Sequence, residues 1–440
     1  MRGAPDQGRP MKRKECCMID ENFPMIRSVP YMGVIWVVHE ASKLGFWNGN
    51  PDWCNLGQGQ PEVGDMEGAP PRITRVEIEP RDQAYGPIGG SAELRDAIAR
   101  TYNRLYRHGK KTRYTADNVS CAGGGRPALT RLFAALADGA RVLYKCPDYT
   151  AYEDYLAYHR ARLTLVPAAT REENAFSLTC REVEASILRQ RVSAYVFSNP
   201  CNPTGGLIMG DELARHAALA RAHRCLLACD EFYSHFIYDE NGHPADGPVS
   251  AAAYVEDVEK DPVLLVDGLT KSHRYPGWRA GWTVGPKHCI EMINRAASAL
   301  DGGPSMMVQR AALEAMQEPR YTAETSALRR CFAAKRRLML DMLQAMNITP
   351  AAEPRGGFYI WASIRSLPEP LNSGDAFFHA CLREKVMTVP GRFFDIRPFG
   401  VRDIVESYDS WIRFSFGPPL QTVKTGLERI AELIKKAGGS

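Results

Sequence analysis

A lysine that directly follows an apolar segment is the first residue here suited to covalent chemistry. The segment VLLVDG (263–268) leads to Thr270 and Lys271 in a glycine-rich stretch, and Arg279 follows a few residues later. Burial lowers the pKa of a lysine, and the neutral amine attacks carbonyl carbons. A guanidinium binds a phosphate through two parallel hydrogen bonds. The segment could therefore hold a carbonyl-binding lysine beside a phosphate-binding arginine, but taken alone it fits a solvated surface lysine and arginine better.

Further polar residues follow other apolar segments. ACDEFYSHF (228–236) places Asp230 at the end of a predicted strand, with Tyr233 shortly after it, and SNPCNPTGG (198–206) places Asn202 in a proline-rich loop. Open α/β sheets bind their ligands at the carboxyl ends of the strands. The two segments therefore predict a binding site at that edge of a sheet.

Two basic segments would complete such a site. WIRFSFG (411–417) places Arg413 among apolar residues, where a buried guanidinium needs an anionic partner. CAGGGRPAL (121–129) is a glycine-rich turn that runs into a helix, and the free N–H groups of a helix N-terminus bind anions. Each motif occurs by itself in unrelated proteins, whereas the combination in this order is specific.

In that combination the sequence resembles the class I/II aminotransferases, a family of fold-type I enzymes that use pyridoxal 5'-phosphate (PLP). The resemblance covers roughly residues 50–435, and its most specific elements are NPCNPTG, DEFY, the TK…PGWRAG segment and the late IRFSFG. It implies an α/β fold, with a large domain whose mixed, mostly parallel sheet is flanked by helices and a smaller α+β domain. It also implies a homodimer.

The resemblance implies a role for each matching residue. Lys271 would form the Schiff base with PLP and then move protons, and Asp230 would face the pyridine nitrogen. Tyr233 and Asn202 would donate hydrogen bonds to the phenolic oxygen of the ring. The other cofactor contacts would be Gly125, Arg126, Pro127, Tyr149, Thr270, Arg279 and, from across the dimer interface, Tyr85. The substrate contacts would be Arg413, which would clamp the α-carboxylate, together with Gly59 and Asn202.

Structural roles remain open for several of these residues. Tyr149 and Tyr233 also suit a core in which each hydroxyl finds a partner. Tyr85 also suits ordinary interface packing, and Gly59 suits a turn. His273 is interpreted as a polar loop residue rather than as a second base.

The chain departs from the family pattern near the expected phosphate. Arg126 stands where the family often has a small or hydroxyl residue, and Gly268 stands where a serine or threonine is common. One hypothesis is that Arg126, His273 and Arg274 cluster there and suit a large or anionic substrate. The alternative for Arg274, as for Lys145, is a solvated charge.

The motifs leave the reaction open. Transamination between an α-amino acid and a 2-oxo acid is the first hypothesis. The same residues would also serve elimination, γ-replacement, cyclisation or oxidation of an amino acid or of a derivative such as S-adenosylmethionine. A non-catalytic regulator is a remote third, because only about 50 residues precede the cofactor domain and they lack a paired-helix, DNA-binding pattern.

Composition limits the partners and the compartment. Across 440 residues, 55 Lys and Arg oppose 51 Asp and Glu, which is too balanced to indicate nucleic-acid or membrane-surface binding. No apolar segment is long enough to span a membrane. The twelve cysteines are scattered without a CxxC pair, so reduced thiols in a cytoplasm are expected, and no metal site is predicted.

The segments between the motifs alternate helical and strand patterns, which favours a parallel or mixed sheet covered by helices. Ser91 caps one predicted helix, and Thr179 with Glu182 forms a capping box for another. The strands are predicted at 141–145, 161–165 (ending before Pro167), 194–198, 225–229 and 263–268. The tail is predicted as helices at 320–346, 374–385 and 420–437 with strands at 386–389 and 411–416.

The change of pattern near residue 310 predicts the domain division. Residues 1–50 are expected to be an N-terminal arm and a segment packed on the small domain and active site, with 1–17 as a loose arm. Residues 51–309 would form the PLP-binding domain and residues 310–440 the small domain. Tyr31, Met32, Trp36 and Trp47 could line the pocket, but packing is the favoured role.

Overall fold

The structure is a computed structural model that describes residues 25–26, 29, 31–398 and 408–438, so the expected loose arm at 1–17 lies outside the described residues. The helices are α1 Gly33–Ser42, α2 Ala92–Tyr106, α3 Gly125–Ala135, α4 Ala151–Tyr158, α5 Cys180–Gln190, α6 Gly210–His223, α7 Lys287–Leu300, α8 Met306–Ala315, α9 Glu318–Ala345, α10 Gly374–Arg383 and α11 Leu420–Gly438. The strands are β1 Cys54–Asn55, β2 Val119–Ala122, β3 Arg141–Cys146, β4 Thr164–Ala169, β5 Ala194–Ser198, β6 Leu226–Asp230, β7 Val263–Gly268, β8 Gly281–Val284, β9 Thr349–Pro350, β10 Tyr359–Ser363, β11 Val386–Met387, β12 Val389–Pro390 and β13 Trp411–Ser415.

Seven of these strands form one sheet in the order β2-β8-β7-β6-β5-β3-β4. The pairs from β4 to β7 are parallel, and only β8 runs antiparallel to its neighbours β7 and β2. The predicted fold class, a mixed and mostly parallel sheet within an α/β protein, is confirmed. This arrangement brings the carboxyl ends of β5, β6 and β7 to the same edge.

The two faces of this sheet bury two separate hydrophobic clusters. Along β5, Ala194 and Val196 belong to one cluster, whereas Tyr195 and Phe197 belong to the other. Alternate side chains of a strand point to opposite faces, so a fully apolar strand must be covered on both sides. The first cluster continues into the C-terminal part of the chain, so the sheet and that part share a core.

The strand predicted at 161–165 is displaced. It runs from Thr164 to Ala169 and continues through Pro167, whose partner on β3 is Tyr144. The prediction that Pro167 ends the strand was wrong because β4 is the edge strand of the sheet. A proline at an edge directs its missing N–H outward, and no ladder hydrogen bond is lost.

A smaller antiparallel sheet, in the order β12-β13-β10-β9, lies in the C-terminal part. All its strands come after residue 310, whereas those of the large sheet come before it, but the exact domain boundaries stay a prediction. The short strand β1 pairs in parallel with β11, joining an early segment to the late part of the chain. Helix α1 packs on the same part through Trp36, whose ring contacts Phe378 and Phe393.

None of the described helices is long and apolar enough to cross a membrane. The ten cysteines within the described residues form no disulfide with one another.

Candidate active site

A cavity of about 840 Å³ opens where β5, β6 and β7 end and helix α3 begins. Its wall includes most residues that the sequence singled out, namely Gly59, Gly125, Arg126, Tyr149, Asn202, Asp230, Tyr233, Thr270, Lys271, Arg279 and Arg413. The cavity therefore brings together side chains from segments far apart in the sequence, although their roles remain predictions.

Lys271 lies just beyond the end of β7. Its Nζ donates a hydrogen bond to the carbonyl oxygen of Gly59 and lies 5.7 Å from the centre of the Tyr233 ring. Burial and the positive charge of Arg413 together lower the pKa of Lys271 to about 7, while Asp230 opposes the shift. Near neutral pH a large fraction of this amine is therefore uncharged and nucleophilic.

Asp230 ends β6 on the floor of the same cavity. Its carboxylate accepts hydrogen bonds from the Tyr152 hydroxyl at 3.2 Å and from the backbone N–H of Phe232 at 3.4 Å. Burial raises the pKa of Asp230 to about 7, and the nearby Asp148 also raises it. A buried carboxylate without a paired cation is stabilised when a positively charged or N–H-bearing group faces it.

Arg413 is buried at the opposite wall, inside β13. Its guanidinium donates to Asn202 Oδ1 at 2.9 Å and to the carbonyl oxygen of Gly57 at 2.7 Å, and it lies 4.1 Å from the centre of the Tyr359 ring. Its Nε has no partner among the described residues. Gly59, which was predicted as a substrate contact, accepts the hydrogen bond of Lys271 through its carbonyl oxygen.

Tyr359 was not predicted as a site residue. Its hydroxyl lies 2.8 Å from the Tyr233 hydroxyl, so the two tyrosines form one hydrogen-bonded pair beneath Arg413. In the sequence, Tyr359 is one of three aromatic residues in RGGFYIW (355–361), and that run reads as an ordinary buried strand. Only the pairing of β10 with β13 brings it beside Arg413.

The end of the cavity at α3 is shaped for an anion. Gly124 has φ 107°, and a Cβ at that position would lie 2.8 Å from Arg279 Cζ, so only glycine lets the guanidinium cross the turn. Arg126 enters from the first turn of the helix, where its Nε lies 3.5 Å from the Tyr149 hydroxyl. The buried Thr270 hydroxyl has no partner among the described residues.

These groups fit the cofactor that the resemblance implies. The guanidinium of Arg279, the unpartnered hydroxyl of Thr270 and the N-terminus of α3 suit a phosphate. Asp230 suits a pyridine N–H, and a lysine of lowered pKa suits an aldehyde. Each demand of PLP therefore has a matching residue in one cavity.

The absence of a hydroxyl at position 268 has a steric reason. A Cβ on Gly268 would lie 2.8 Å from the Cα of Gly281 and 3.0 Å from the Phe232 ring, and it would also clash with the carbonyl oxygen of Ala280. The Phe232 ring also occupies the space that a side chain on Gly125 would need. Phe232, another residue that sequence reasoning missed, therefore packs against two glycines at the phosphate end.

Two residues of the expected basic cluster are absent from the cavity wall. His273 is buried behind it, where it contacts Ser272 Oγ at 2.9 Å and the Tyr321 ring, and burial lowers the pKa of this imidazole to about 3. Arg274 is also buried and forms an ion pair with Glu324 at 2.7 Å. The cluster hypothesis is wrong for both, and only Arg126 lines the cavity.

The solvated-charge interpretation was wrong for Arg274 and also for Lys145. Lys145 is 3% exposed and forms an ion pair with Asp148 at 3.5 Å. Charged residues are rarely buried unless paired, and their partners lie close only once the chain has folded.

Two predicted cofactor contacts lie elsewhere. Pro127 sits in the first turn of α3 but does not line the cavity. Tyr85 is fully exposed on this single chain, so its contact stays a prediction that needs a second subunit.

In the N-terminal segment, Met32 lines the cavity, whereas Tyr31 and Trp47 are exposed.

Comparisons with known proteins identify the family and the fold of this chain. Residues 51–430 match the model of the family described as aminotransferase class I and II. An aspartate aminotransferase of Pyrococcus abyssi is 26% identical over 391 residues, covering 88% of this chain and 93% of the relative. An aspartate/prephenate aminotransferase of Cereibacter sphaeroides is 29% identical, covering 79% and 85%. The solved aspartate aminotransferase of Thermus thermophilus with maleate, 24% identical, shares the fold with a TM-score of 0.74 and coverage of 92% and 97%.

Proposed function

The chain belongs to the aminotransferase class I and II family, and from that premise we propose which of its residues carry the reaction. It is a PLP-dependent transferase that moves an amino group between an α-amino acid and a 2-oxo acid. We assign Lys271 as the proton-moving amine, Asp230 as the partner of the ring nitrogen and Arg413 as the clamp for the α-carboxylate. When bound, PLP supplies a ring that accepts the electrons released at the substrate Cα.

The observation that carries this assignment is the position of Lys271 in a single cavity with Asp230 and Arg413. With a pKa of about 7, the amine can accept a proton from Cα and return one during the same cycle. Asp230, buried at the cavity floor, would keep a proton on the ring nitrogen. These two groups thus hold protons at two different atoms of one site.

Arg413 supports substrate binding. Asn202, Gly57 and Tyr359 fix its guanidinium before any ligand arrives, and its Nε keeps a free donor among the described residues. A preorganised guanidinium binds a carboxylate without first losing its own freedom. We therefore expect Arg413 to orient Cα of the substrate towards Lys271.

For the first substrate we propose an amino acid with an acidic side chain. Arg126 lines the cavity and forms no ion pair within the described residues, so it could meet a second carboxylate. The two relatives compared above carry aspartate in their names. The relatives are named as aminotransferases, which also favours transamination over the elimination, replacement, cyclisation or oxidation that the same residues would permit.

We further propose a homodimer in the cytoplasm. Tyr85, Val76 and Ile78 are exposed on the single chain, and a second copy would cover such apolar residues. Free cysteines in the described part suit a reducing compartment.

The test is a panel of amino-acid donors and 2-oxo-acid acceptors, with product formation followed by chromatography. We expect amino transfer by the wild type and a loss of several orders of magnitude for Lys271→Ala. Lys287→Ala, which alters an exposed lysine, is the matched control and should keep full activity. Amino transfer at the wild-type rate by Lys271→Ala would overturn the assignment.

A further inference from the structure

A buried lysine and cysteine lie in contact beside the cavity, and the proposed reaction uses neither. Lys145 Nζ, at the end of β3, lies 3.1 Å from Cys201 Sγ and donates to the carbonyl oxygen of Pro147 at 2.8 Å. Lys145 is 3% and Cys201 5% exposed, and Asp148 is fully buried next to them. Because the amine and the sulfur are in contact and both are buried, the pair is preorganised for a reaction between them.

A buried amine held as a cation lies against this sulfur. Burial by itself would lower the pKa of Lys145, but Cys201 and Asp148 raise it above the ordinary value, so the amine is held as an ammonium. Reactive cysteines in proteins are typically those that lie next to a cation. By contrast, burial raises the pKa of the thiol at Cys229 and Cys381, which keeps those thiols protonated and inert.

We propose that Lys145 and Cys201 form a reversible oxidative cross-link, an S–N bond made when a peroxide oxidises the thiol. In the first step the sulfur attacks the peroxide, the O–O bond breaks, and the thiol becomes a sulfenic acid with release of water. In the second step the Lys145 amine displaces the hydroxyl from sulfur, which releases a second water and forms S–N. Sulfenic acids are captured by nitrogen in this way.

Oxidation of the sulfur also frees the amine for the second step. Cys201, Asp148 and Cys146 all raise the pKa of Lys145, with Cys201 the first among them, so a change at this sulfur lets that pKa fall. The released proton has a neighbour to receive it, since Asp148 lies 3.5 Å from Nζ. Two thiols restore the starting state: the first breaks S–N and forms a mixed disulfide, and the second reduces that disulfide.

The loop that carries Cys201 borders the cavity, from which a small peroxide would approach the sulfur. Ser198 and Asn202, on either side of Cys201 in the same loop, both line the cavity. The same loop contacts the proposed substrate clamp, because Asn202 Oδ1 accepts a hydrogen bond from Arg413. At Ser198 the loop also contacts Asp148, whose carboxylate accepts hydrogen bonds from the Ser198 hydroxyl and from the backbone N–H of Tyr149. A bond that draws Cys201 towards Lys145 would therefore disturb Tyr149 and Arg413 together.

The test treats the PLP-loaded protein with hydrogen peroxide, digests it under non-reducing conditions and analyses the peptides by mass spectrometry. We expect a joined peptide containing Lys145 and Cys201 whose mass is that of the two peptides less two hydrogen atoms. Treatment with dithiothreitol should separate it, and amino transfer lost to peroxide should return at the same time. This mass readout holds whatever the substrate proves to be.

Two variants sharpen the result. Cys201→Ser removes the oxidisable atom at similar volume, so it should form no joined peptide and lose far less activity to peroxide. Lys145→Arg keeps a cation beside Asp148, but a guanidinium captures sulfenic acid poorly, so a sulfenic acid should accumulate and react with a 1,3-dione probe. A wild-type digest with Cys201 reduced, or oxidised without a bond to Lys145, overturns the proposal.

Discussion

Lys271 and Asp230 show how one cavity shifts a base and an acid to the same pH region. Burial disfavours the charged form of each, so the pKa of the lysine falls to about 7 and that of the aspartate rises to about 7. Arg413 adds to the shift of Lys271 because it places a second cation in the same low-dielectric space. Arg413, which we propose as the clamp for the substrate α-carboxylate, therefore also helps to lower the pKa of the Lys271 amine.

The uptake of PLP by the cofactor-free protein should follow this titration. Only the neutral amine attacks an aldehyde, so the uptake rate should rise with pH and reach half its plateau near pH 7. Stopped-flow absorbance would measure it. In Arg413→Gln, where a neighbouring cation is removed, the midpoint should move to higher pH, and a midpoint unchanged or lower would contradict the electrostatic account.

The site residues that the sequence predicted are those whose motif fixes both type and spacing. Lys271, Asp230 and Arg413 all lie where the motifs place them, in one cavity. Arg274 and Lys145 were misjudged because a charge in the sequence does not show its partner. For Arg274 that partner, Glu324, lies on a separate helix, and only the folded chain brings the two together.

At the scale of elements, β7, β8 and the turn before α3 lie so close together that only glycine fits at Gly268 and Gly281, next to the proposed phosphate site. Gly268 and Gly281 face each other across β7 and β8, and Phe232 fills the remaining space. The sequence showed that a hydroxyl was missing at 268, but only the strand pairing gives the reason.

Restoring a serine at that position should therefore harm the protein. Gly268→Ser places a Cβ against backbone atoms that cannot move aside, and we expect a loss of about 1–3 kcal/mol in the free energy of unfolding. Gly247→Ser is the control, because a Cβ there meets nothing within 4 Å. Urea titration of both variants measures their free energies of unfolding. A Gly268→Ser variant that is as stable as the wild type and binds PLP more tightly would contradict this steric explanation.

A buried ion-pair group holds the turn after Lys271. Glu324 on α9 contacts Arg274 at 2.7 Å and Arg72 at 3.1 Å, and Arg72 also donates to the carbonyl oxygen of Arg274 at 2.8 Å. The group links the turn that follows β7, an irregular segment near residue 72 and α9.

Removal of the shared anion should destabilise this junction strongly. Glu324→Gln leaves two guanidiniums close together in a buried place, at a cost of about 3–5 kcal/mol. Thermal unfolding followed by circular dichroism would detect it. Glu291→Gln, which changes an exposed pair with Arg295, should unfold at the wild-type temperature.

At the scale of the whole molecule, the proposed dimer would give Tyr85 its role. Its side chain is fully exposed on one chain and lies outside the cavity of that chain. A hydroxyl that reaches a phosphate in a partner would contribute as a hydrogen bond to a charged group.

Tyr85→Phe tests that contact without disturbing assembly. We expect PLP affinity to fall about tenfold to a hundredfold, the range for a hydrogen bond to a charged group. Sedimentation should show the mass of two chains for both proteins. A variant that binds PLP as tightly as the wild type would reduce Tyr85 to a packing residue.

The pairing of β1 with β11 has a consequence for synthesis on the ribosome. Cys54 and Asn55 leave the exit tunnel well before their partners Val386 and Met387, which are translated only after all strands of the large sheet. The large sheet is complete once residue 284 has emerged, long before Arg413 exists. A nascent chain would thus present Lys271 in a formed sheet while the amino-acid clamp is still missing. Translation order alone would let the growing polypeptide acquire its cofactor before it can engage a substrate.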